Sequence, residues 1–270
     1  MLIVDAQIHL WEKGTPSAHH RQEPYSAEQA IAGMDEAGVN RALIHPVLWD
    51  PDSNELAVEA VRKYPDRFAI MGWFYLDAPN GRDLVAHWKE RPGMLGLRFY
   101  TNERHPQSWF TDDTLDWLWP AVERAGVPVA LGAAMFLPTV GKIAERHPGL
   151  KLIVDHMGRL RQNKGLAVFD SMDQLVALAR HPNIAVKATG GPHDATDPYP
   201  FKSLHPYYRR LYDAFGPARL FWGTDITRMP CSWRQCVAMF KEEMPFLKGR
   251  DLELVMGRAV CDWIGWKLPA

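Results

Sequence analysis

The fold is indicated first by one stretch, Lys151–Gly158, which reads KLIVDHMG. It is a short apolar run that ends on the titratable side chain of His156, and helical sequence flanks it on both sides. The stretch Arg219–Asp225, RLFWGTD, has the same form and ends on Asp225. A parallel α/β barrel carries its catalytic side chains at the C-terminal ends of its strands. The pair therefore predicts both a barrel and the position of its site.

Short β-rich runs alternate with helical stretches along the chain, which indicates βαβ units on a parallel sheet. The predicted strands are Leu2–His9, Arg41–Val47, Phe68–Tyr75, Met94–Tyr100, Pro128–Ala134, Lys151–Gly158, Asn183–Gly190 and Arg219–Ile226. The stretches predicted as helices are Ser26–Gly38, Ser53–Tyr64, Leu115–Gly126, Leu137–His147 and Pro206–Phe215. This pattern predicts an α/β fold of the (β/α)8 TIM barrel type.

An open, doubly wound sheet is the competing architecture, but no Gly-x-Gly-x-x-Gly motif follows the first strand. The length of 270 residues is typical of a barrel that forms one domain, so we expect a single domain over residues 1–270. Ser26 is a predicted N-cap and Gly38 a predicted helix stop. Residues 251–266 have an amphipathic pattern, which predicts a C-terminal helix that seals the outer layer of the barrel.

Composition narrows the function. Acidic and basic residues nearly cancel to a formal charge of -1, so we expect no nucleic-acid partner. No apolar stretch reaches the length of about 18 residues that a membrane span needs, and no basic leader is present, so we expect a cytoplasmic protein with no membrane partner. Cys231, Cys236 and Cys261 are too irregularly spaced for a disulfide framework. Tryptophans such as Trp109, Trp117 and Trp119, where exposed, belong either to a homodimer interface or to the outer helices.

Polar side chains lie where the predicted strands end. They are Gln7, His9, His45, Arg98, His156, Arg159, Lys187 and Asp225. The set is rich in cations, and guanidinium groups bind carboxylates bidentately, so a small-molecule carboxylate substrate is predicted. Arg98 and Lys187 have an alternative, which is to pair with core carboxylates such as Asp5 or Asp155. Strict alternation along the strand would place Asp155 on the face opposite His156.

Two long connections, Leu10–Tyr25 and Gly191–His205, follow the first and seventh strands. Loops of this length at the C-terminal face of a barrel are typical of lids or substrate-binding elements. The first loop contains the tandem pair His19 and His20. That pair, like the cysteines, matches no standard zinc spacing, so we interpret it as a structural or surface feature.

Five segments together carry a family likeness. They are Val4–Trp11 (VDAQIHLW), Leu95–Arg98 (LGLR), Val154–Arg159 (VDHMGR), Val186–Lys187 (VK) and Trp222–Asp225 (WGTD). In order and spacing they resemble the amidohydrolase superfamily. The most similar branch is the amidohydrolase-related one that includes 2-pyrone-4,6-dicarboxylate lactonase and sugar lactonases. The resemblance implies a TIM barrel and a hydrolase.

The resemblance also bears on metal binding. In the superfamily, strand one carries His-x-His, strands five and six each supply a histidine, and strand eight supplies an aspartate, which together hold one or two divalent metals. Here Gln7 replaces the first histidine, strand five has no imidazole, and Arg98 stands where binuclear members have a lysine. The remaining ligands would be His9, His156 and Asp225, and a neutral amide is a poor zinc ligand. No metal is therefore favoured, with one zinc or manganese ion as the alternative.

The dicarboxylate lactonase of this branch works without a metal and places arginines around its substrate. By that resemblance, Asp225 is the general base for attack of water on a lactone carbonyl. His9 and His156 would polarise that carbonyl, and Arg98 and Arg159 would anchor a carboxylate.

Gln7, His45 and Lys187 complete the predicted substrate-binding set, with Gln7 orienting water or substrate. The seventh strand lacks the further arginine expected of a dicarboxylate binder, which favours a monocarboxylate, sugar-acid or aromatic-derived lactone. Two alternatives stay open. One is a metal-dependent decarboxylase or hydratase of an aromatic-derived acid, and the other is a non-catalytic ligand-binding barrel.

Overall fold

The computed structural model describes residues 1–101, 104–160, 163 and 165–268. Eight strands lie in sequence order, and each is parallel to the next. They are β1 Val4–Ile8, β2 Arg41–Ile44, β3 Phe68–Trp73, β4 Met94–Tyr100, β5 Val129–Gly132, β6 Leu152–Val154, β7 Ile184–Ala188 and β8 Leu220–Trp222. Each lies within a predicted strand, and β8 returns to contact β1. The prediction of a TIM barrel is confirmed.

Helices connect the strands. They are α1 Ala27–Ala37, α2 Ser53–Lys63, α3 Gly81–Ala86, α4 Leu118–Arg124, α5 Leu137–Arg146, α6 Met172–Ala177, α7 His205–Phe215, α8 Trp233–Glu242, α9 Gly249–Glu253 and α10 Ala259–Ile264. Ser26 caps α1 in a reciprocal hydrogen-bonded pair with Gln29, and Gly38 ends the helix at φ 73°, as predicted. Within the described ranges, every helix is too short or too polar to cross a lipid bilayer.

The interior of the barrel has an apolar layer beneath a polar layer. The apolar layer consists of Val4, Ala6, Leu43, Ala69, Met71, Ala130, Ile153, Ala185 and Phe221. The polar layer lies nearer the C-terminal ends of the strands and consists of Gln7, His45, Arg98, Asp155 and Lys187, all of them buried. A buried polar group without a partner costs about 1–3 kcal/mol, so the groups of this layer have to satisfy one another.

The C-terminal segment differs from the single helix predicted over 251–266. It forms α9, a π-helical turn over Leu254–Arg258, and α10. Gly257 lies against the first strand, where a Cβ would stand 2.8 Å from the carbonyl oxygen of Leu2. The apolar side chains of α10 pack on the apolar layer of the interior. The tail therefore closes the N-terminal end of the barrel, and the prediction that it seals the outer layer is wrong.

The seam between β1 and β8 is joined by the carboxylate of Asp5. It accepts hydrogen bonds from the backbone N–H of Thr224 at 2.8 Å and of Gln7 at 2.9 Å. The hydroxyl of Thr224 and the indole of Trp233 on α8 donate to its other oxygen. Next to it, the backbone N–H of Asp225 donates to the carbonyl of Gln7 at 2.8 Å. The seam thus holds Gln7 and Asp225 side by side at the mouth of the barrel.

We expect Asp5 to make stability depend on pH. Burial raises the pKa of Asp5 to about 7, against the opposing effect of its hydrogen bonds. The unfolded chain releases this proton near pH 4, so the contribution of Asp5 is fully present below about pH 4 and falls as the pH rises towards 7. An Asp5→Asn variant has no titrating group at this position. Its deficit in free energy of unfolding should shrink over this window, by at most about 1.4 kcal/mol per pH unit.

Urea unfolding of both proteins at a series of pH values measures the deficit. Asp66→Asn, at an exposed position, is the matched control and should follow the wild type throughout. A deficit that stays constant, or grows with pH, would contradict a protonated Asp5.

Candidate active site

His156 and Asp225 both lie on turns that leave the strand ends in left-handed backbone conformations. β6 ends at Val154, and His156 and Met157 then adopt φ 50° and 57°. Asp225 has φ 62°. Residues other than glycine rarely adopt this backbone conformation, and those that do cluster at functional sites. Because the strand ends before Asp155, alternation no longer applies, and the prediction that Asp155 lies opposite His156 is wrong.

Arg98, Asp155 and Lys187 form an ion-pair group in the polar layer. Asp155 Oδ2 accepts from Arg98 Nε at 2.6 Å, and Asp155 Oδ1 lies 2.6 Å from Lys187 Nζ. Burial alone would raise the pKa of Asp155, but the charges of Lys187 and Arg98 hold it below its usual value. The alternative that both cations pair with a core carboxylate is confirmed for Asp155, whereas Asp5 serves the seam. Direct substrate binding by Arg98 and Lys187 stays a prediction.

Lys187 also sets the orientation of the Gln7 side chain. Its Nζ donates to Gln7 Oε1 at 2.6 Å, and because an ammonium group cannot accept a hydrogen bond, the amide oxygen has to face it. The Nε2 of Gln7 then lies 3.0 Å from His156 Nε2 and 3.3 Å from His9 Nε2. The amide group donates to both imidazoles. Both therefore carry their proton on Nδ1.

The contacts of the Nδ1 atoms agree with these tautomers. His9 Nδ1 donates to the backbone oxygen of His45 at 2.5 Å, and His156 Nδ1 donates to Thr189 Oγ1 at 2.8 Å. Burial lowers the pKa of His9 to about 4, although the charge of Asp225 opposes this shift. His9 is therefore neutral at neutral pH, and the lone pair of its Nε2 faces both the amide of Gln7 and Asp225, each at 3.3 Å.

His9 and Asp225 face each other through two acceptor atoms. His9 Nε2 lies 3.3 Å from Asp225 Oδ1. Burial would raise the pKa of Asp225, but His9, His20 and Arg228 together lower it, so the carboxylate is ionised. Its Oδ1 is buried and receives no hydrogen bond from the described residues. Two electron-rich atoms at this distance repel each other unless a cation or a proton lies between them. The arrangement therefore suits a cation.

His20 supplies a third possible metal-ligand atom beside His9 and Asp225. One ligand atom each of His9, His20 and Asp225 lies within 4.8 Å of the others, and all three residues are buried. Imidazole nitrogen and carboxylate oxygen are usual ligands of zinc. The sequence instead placed His156 in the ligand set. The structure brings His20 to the other two, and among the described residues the group of possible ligands that forms here does not include His156.

Only tertiary contacts bring His20 into the site. In the loop after β1, the backbone N–H of Arg21 donates to the carbonyl of Thr227 at 2.7 Å. His20 Nδ1 lies 2.8 Å from Thr227 Oγ1, on the turn that follows Asp225. His20 is therefore buried, which excludes the surface half of that interpretation and leaves the structural half open. The one cue in the sequence was the unusual length of the loop.

The other two predicted binding residues have different positions. His45 is fully buried beneath the mouth, with Nε2 3.2 Å from Lys187 Nζ. Arg159 pairs with Asp194 and donates to the carbonyl of Gly190 at 2.8 Å. Arg159 nevertheless lines two cavities at the mouth. Roles of His45 and Arg159 in binding substrate stay predictions.

Cavities open around this centre. One of about 390 Å³ has His19, His156, Arg159, His193, Asp194 and Arg228 among its lining residues. A narrower one of about 30 Å³ lies over His9, His20 and Asp225 and also reaches Arg228. Both long loops predicted as substrate-binding elements thus contribute side chains here. Neither His193 nor Arg228 is predicted from the sequence, since each follows a strand by several residues and has no strand-end pattern.

A family model described as amidohydrolase matches residues 4–254. The chain belongs to the amidohydrolase family. The resemblance inferred from five segments is confirmed, and the amidohydrolase is an enzyme, so a non-catalytic barrel is set aside.

Among curated proteins, the L-fucono-1,5-lactonase of Burkholderia ambifaria is similar to this amidohydrolase. The two are 24% identical over 240 residues, which cover 82% of this chain and 79% of the lactonase.

Three solved structures share the fold. An amidohydrolase from Burkholderia multivorans with bound zinc has a TM-score of 0.82 at 19% identity and covers 100% of both chains. A probable 2-pyrone-4,6-dicarboxylic acid hydrolase from Acinetobacter baumannii, with citric acid bound, has a TM-score of 0.78 at 15% identity, covering 98% and 100%. A 5-carboxyvanillate decarboxylase from Novosphingobium aromaticivorans, complexed with manganese, has a TM-score of 0.70 at 14% identity. The match covers 98% of this chain and 96% of the decarboxylase chain. Two of the three thus contain a divalent metal.

We expect removal of the Lys187 charge to destabilise the protein strongly. In Lys187→Met the oxygen of Gln7 loses its donor, and Asp155 keeps only Arg98. Breaking a buried ion pair on one side costs about 3–5 kcal/mol. Urea unfolding measures this loss, and Lys142→Met at an exposed position is the matched control. A loss below about 1 kcal/mol would show that Lys187 does not hold the polar layer together.

Proposed function

We propose that this amidohydrolase hydrolyses a small lactone that carries a carboxylate, with His9, His20 and Asp225 at the reaction centre. The observation that carries the proposal is the approach of His9 Nε2 to Asp225 Oδ1, 3.3 Å apart, with no hydrogen-bond donor on that oxygen among the described residues. The similarity to a protein named as L-fucono-1,5-lactonase supports a lactone as the substrate.

We also propose that these three residues hold one divalent ion, zinc or manganese. The donor set fits, since it combines two imidazoles with an ionised carboxylate whose oxygen is buried and lacks a donor. Two structural neighbours contain such an ion. A divalent ion in this place would supply Lewis acidity, which makes water more acidic and a carbonyl more electrophilic. We prefer this to the metal-free site that the sequence favoured.

Asp225 is the proposed proton carrier. In hydrolysis, water adds to the lactone carbonyl carbon, the ring C–O bond breaks, and the ring oxygen leaves as a hydroxyl. The ionised carboxylate of Asp225 accepts the proton of the attacking water and returns it to the departing ring oxygen. An ester oxygen leaves more readily than an amide nitrogen, so this transfer asks less of the enzyme than amide hydrolysis would.

The imidazoles of His9 and His156 have a narrower role than the sequence suggested. To polarise a carbonyl, an imidazole has to direct an N–H at it. The Nδ1–H groups of both residues point at protein oxygens instead. Gln7 holds both rings through its amide group. We therefore assign Gln7 and His156 to positioning of the centre and His9 to binding of the ion.

A decarboxylase or hydratase of an aromatic-derived acid is the second candidate. The manganese-containing decarboxylase among the structural neighbours favours it, because the same donors would serve there. The two candidate reactions can be distinguished by their products. Lactone hydrolysis releases a hydroxy acid and lowers the pH of a weakly buffered solution, whereas decarboxylation releases carbon dioxide from an acid.

We expect Asp225→Asn to lose lactone hydrolysis. Asparagine keeps the shape but accepts no proton, and loss of a positioned general base costs about 10²- to 10⁴-fold in rate. A screen of lactones with a pH indicator identifies the substrate, and kcat is then compared with that of the Asp66→Asn control. Full activity of Asp225→Asn would remove the proposed base.

We expect about one zinc or manganese ion per chain in protein purified without chelator. His20→Ala should lose most of it, because three ligands become two, whereas His19→Ala should retain it. Elemental analysis measures the content of all three proteins. If the wild-type protein contains no metal and its lactonase activity survives a chelator, the proposed metal site is contradicted and the metal-free mechanism is supported.

Three expectations from the sequence stay predictions. They are a cytoplasmic location, a single domain over residues 1–270, and a homodimer as an alternative to a monomer.

A further inference from the structure

Arg228 is a largely buried cation that the proposed chemistry does not use. Its side chain is 9% exposed, and its Nε is buried with no hydrogen-bond partner among the described residues. The nearest carboxylate oxygen is Asp225 Oδ2, at 3.6 Å from Nη1, which is beyond hydrogen-bond distance. A buried guanidinium with unused donors is costly unless something binds them. Arg228 therefore has donors available for a ligand.

The other arginines of the site differ in this respect. Arg98 donates to Asp155 at 2.6 Å, and Arg159 is paired with Asp194. Each of these two guanidinium groups thus has a carboxylate oxygen within hydrogen-bond distance. Asp225, by contrast, lies 3.6 Å from Arg228 Nη1 through Oδ2, and its Oδ1 faces His9. Of these three arginines, Arg228 is the one without a carboxylate oxygen within hydrogen-bond distance among the described residues.

The position of Arg228 connects the reaction centre to the open cavity. It lines both the narrow space over Asp225 and the adjoining cavity of about 390 Å³. That volume is within the usual range of small-molecule sites, about 300–1,000 Å³. The turn that carries Arg228 is held in place, because His193 Nδ1 donates to its carbonyl at 3.3 Å and its own N–H donates to the carbonyl of Asp225 at 3.0 Å.

We propose that Arg228 is the carboxylate anchor of this enzyme, and that it selects anionic lactones over neutral ones. This rests on the proposed lactone hydrolysis. A substrate carboxylate in the 390 Å³ cavity accepts two hydrogen bonds from the guanidinium, while the ring of the lactone lies over Asp225. The sequence assigned this anchor to Arg98 and Arg159. The structure gives both of those a carboxylate partner inside the protein.

The test compares two lactones of similar size, glucaro-1,4-lactone, which carries a carboxylate, and galactono-1,4-lactone, which does not. The readout is the ratio of their kcat/KM values. We expect the wild type to favour the anionic lactone. Arg228→Gln should lower the ratio by about 10- to 100-fold, mainly through KM, because a charge-assisted pair of hydrogen bonds is lost. Arg228→Lys should lower the ratio less, since lysine keeps the positive charge but lacks the two parallel N–H donors of the guanidinium.

Exposed Arg234 on α8 provides the matched control, and Arg234→Gln should leave the ratio unchanged. Thermal unfolding of each variant verifies folding. An equal loss on both lactones in Arg228→Gln would place Arg228 in the chemical step and overturn its role as selector. An unchanged ratio would overturn any contact with the carboxylate.

Direct binding separates this proposal from the proposed reaction. Calorimetry with glutarate and with its uncharged diamide requires no turnover. We expect the wild type to bind glutarate and Arg228→Gln to lose this binding, while neither binds the diamide. If no lactone is hydrolysed but glutarate binds in this pattern, the anchor stands and the reaction fails. If wild type and Arg228→Gln bind glutarate equally, the anchor fails whatever the reaction is.

Discussion

The site depends on the buried ammonium group of Lys187. It lies within the barrel between Asp155 and Gln7, and it can only donate hydrogen bonds. This restriction orients the amide of Gln7, and the amide then determines which nitrogen of His9 and of His156 carries the proton. A positive charge in the core thus controls two neutral imidazoles at the mouth. Without it, the amide would be free to turn over and the lone pairs of both rings would lose their direction.

Two kinds of charge are found in this barrel. In the core, Arg98, Asp155 and Lys187 satisfy one another at short distances and are nearly excluded from solvent. At the mouth, Asp225 is buried and Arg228 is largely so, but they meet at 3.6 Å without a hydrogen bond. A charged side chain with short contacts to its partners holds neighbouring residues in position. A charged side chain without a hydrogen-bonded partner can still donate hydrogen bonds to a ligand. This contrast, more than the number of cations, separates the supporting layer from the reaction centre.

The backbone around Asp225 is held from both sides. Asp5 binds Thr224 across the seam between β1 and β8, and Thr227 accepts a hydrogen bond from the loop after β1. Between these contacts, Asp225 is held in a left-handed conformation. Such a conformation persists only where the surroundings enforce it. The resulting turn directs the carboxylate towards His9 and places Arg228 beside it, so the seam of the barrel and its reaction centre form one structure.

The sequence by itself determined the barrel and much of its mouth. Strand runs and their polar ends are local patterns, so eight strands, and the places of His9, His156 and Asp225 at the strand ends, could be inferred without coordinates. Partner choice could not. His20 meets Asp225 across about two hundred residues of chain, and the pairing of Arg98 and Arg159 with carboxylates, as opposed to Arg228, depends on how loops and strand ends pack together. These are contacts between distant segments, which no local periodicity encodes, and only the tertiary structure decided them.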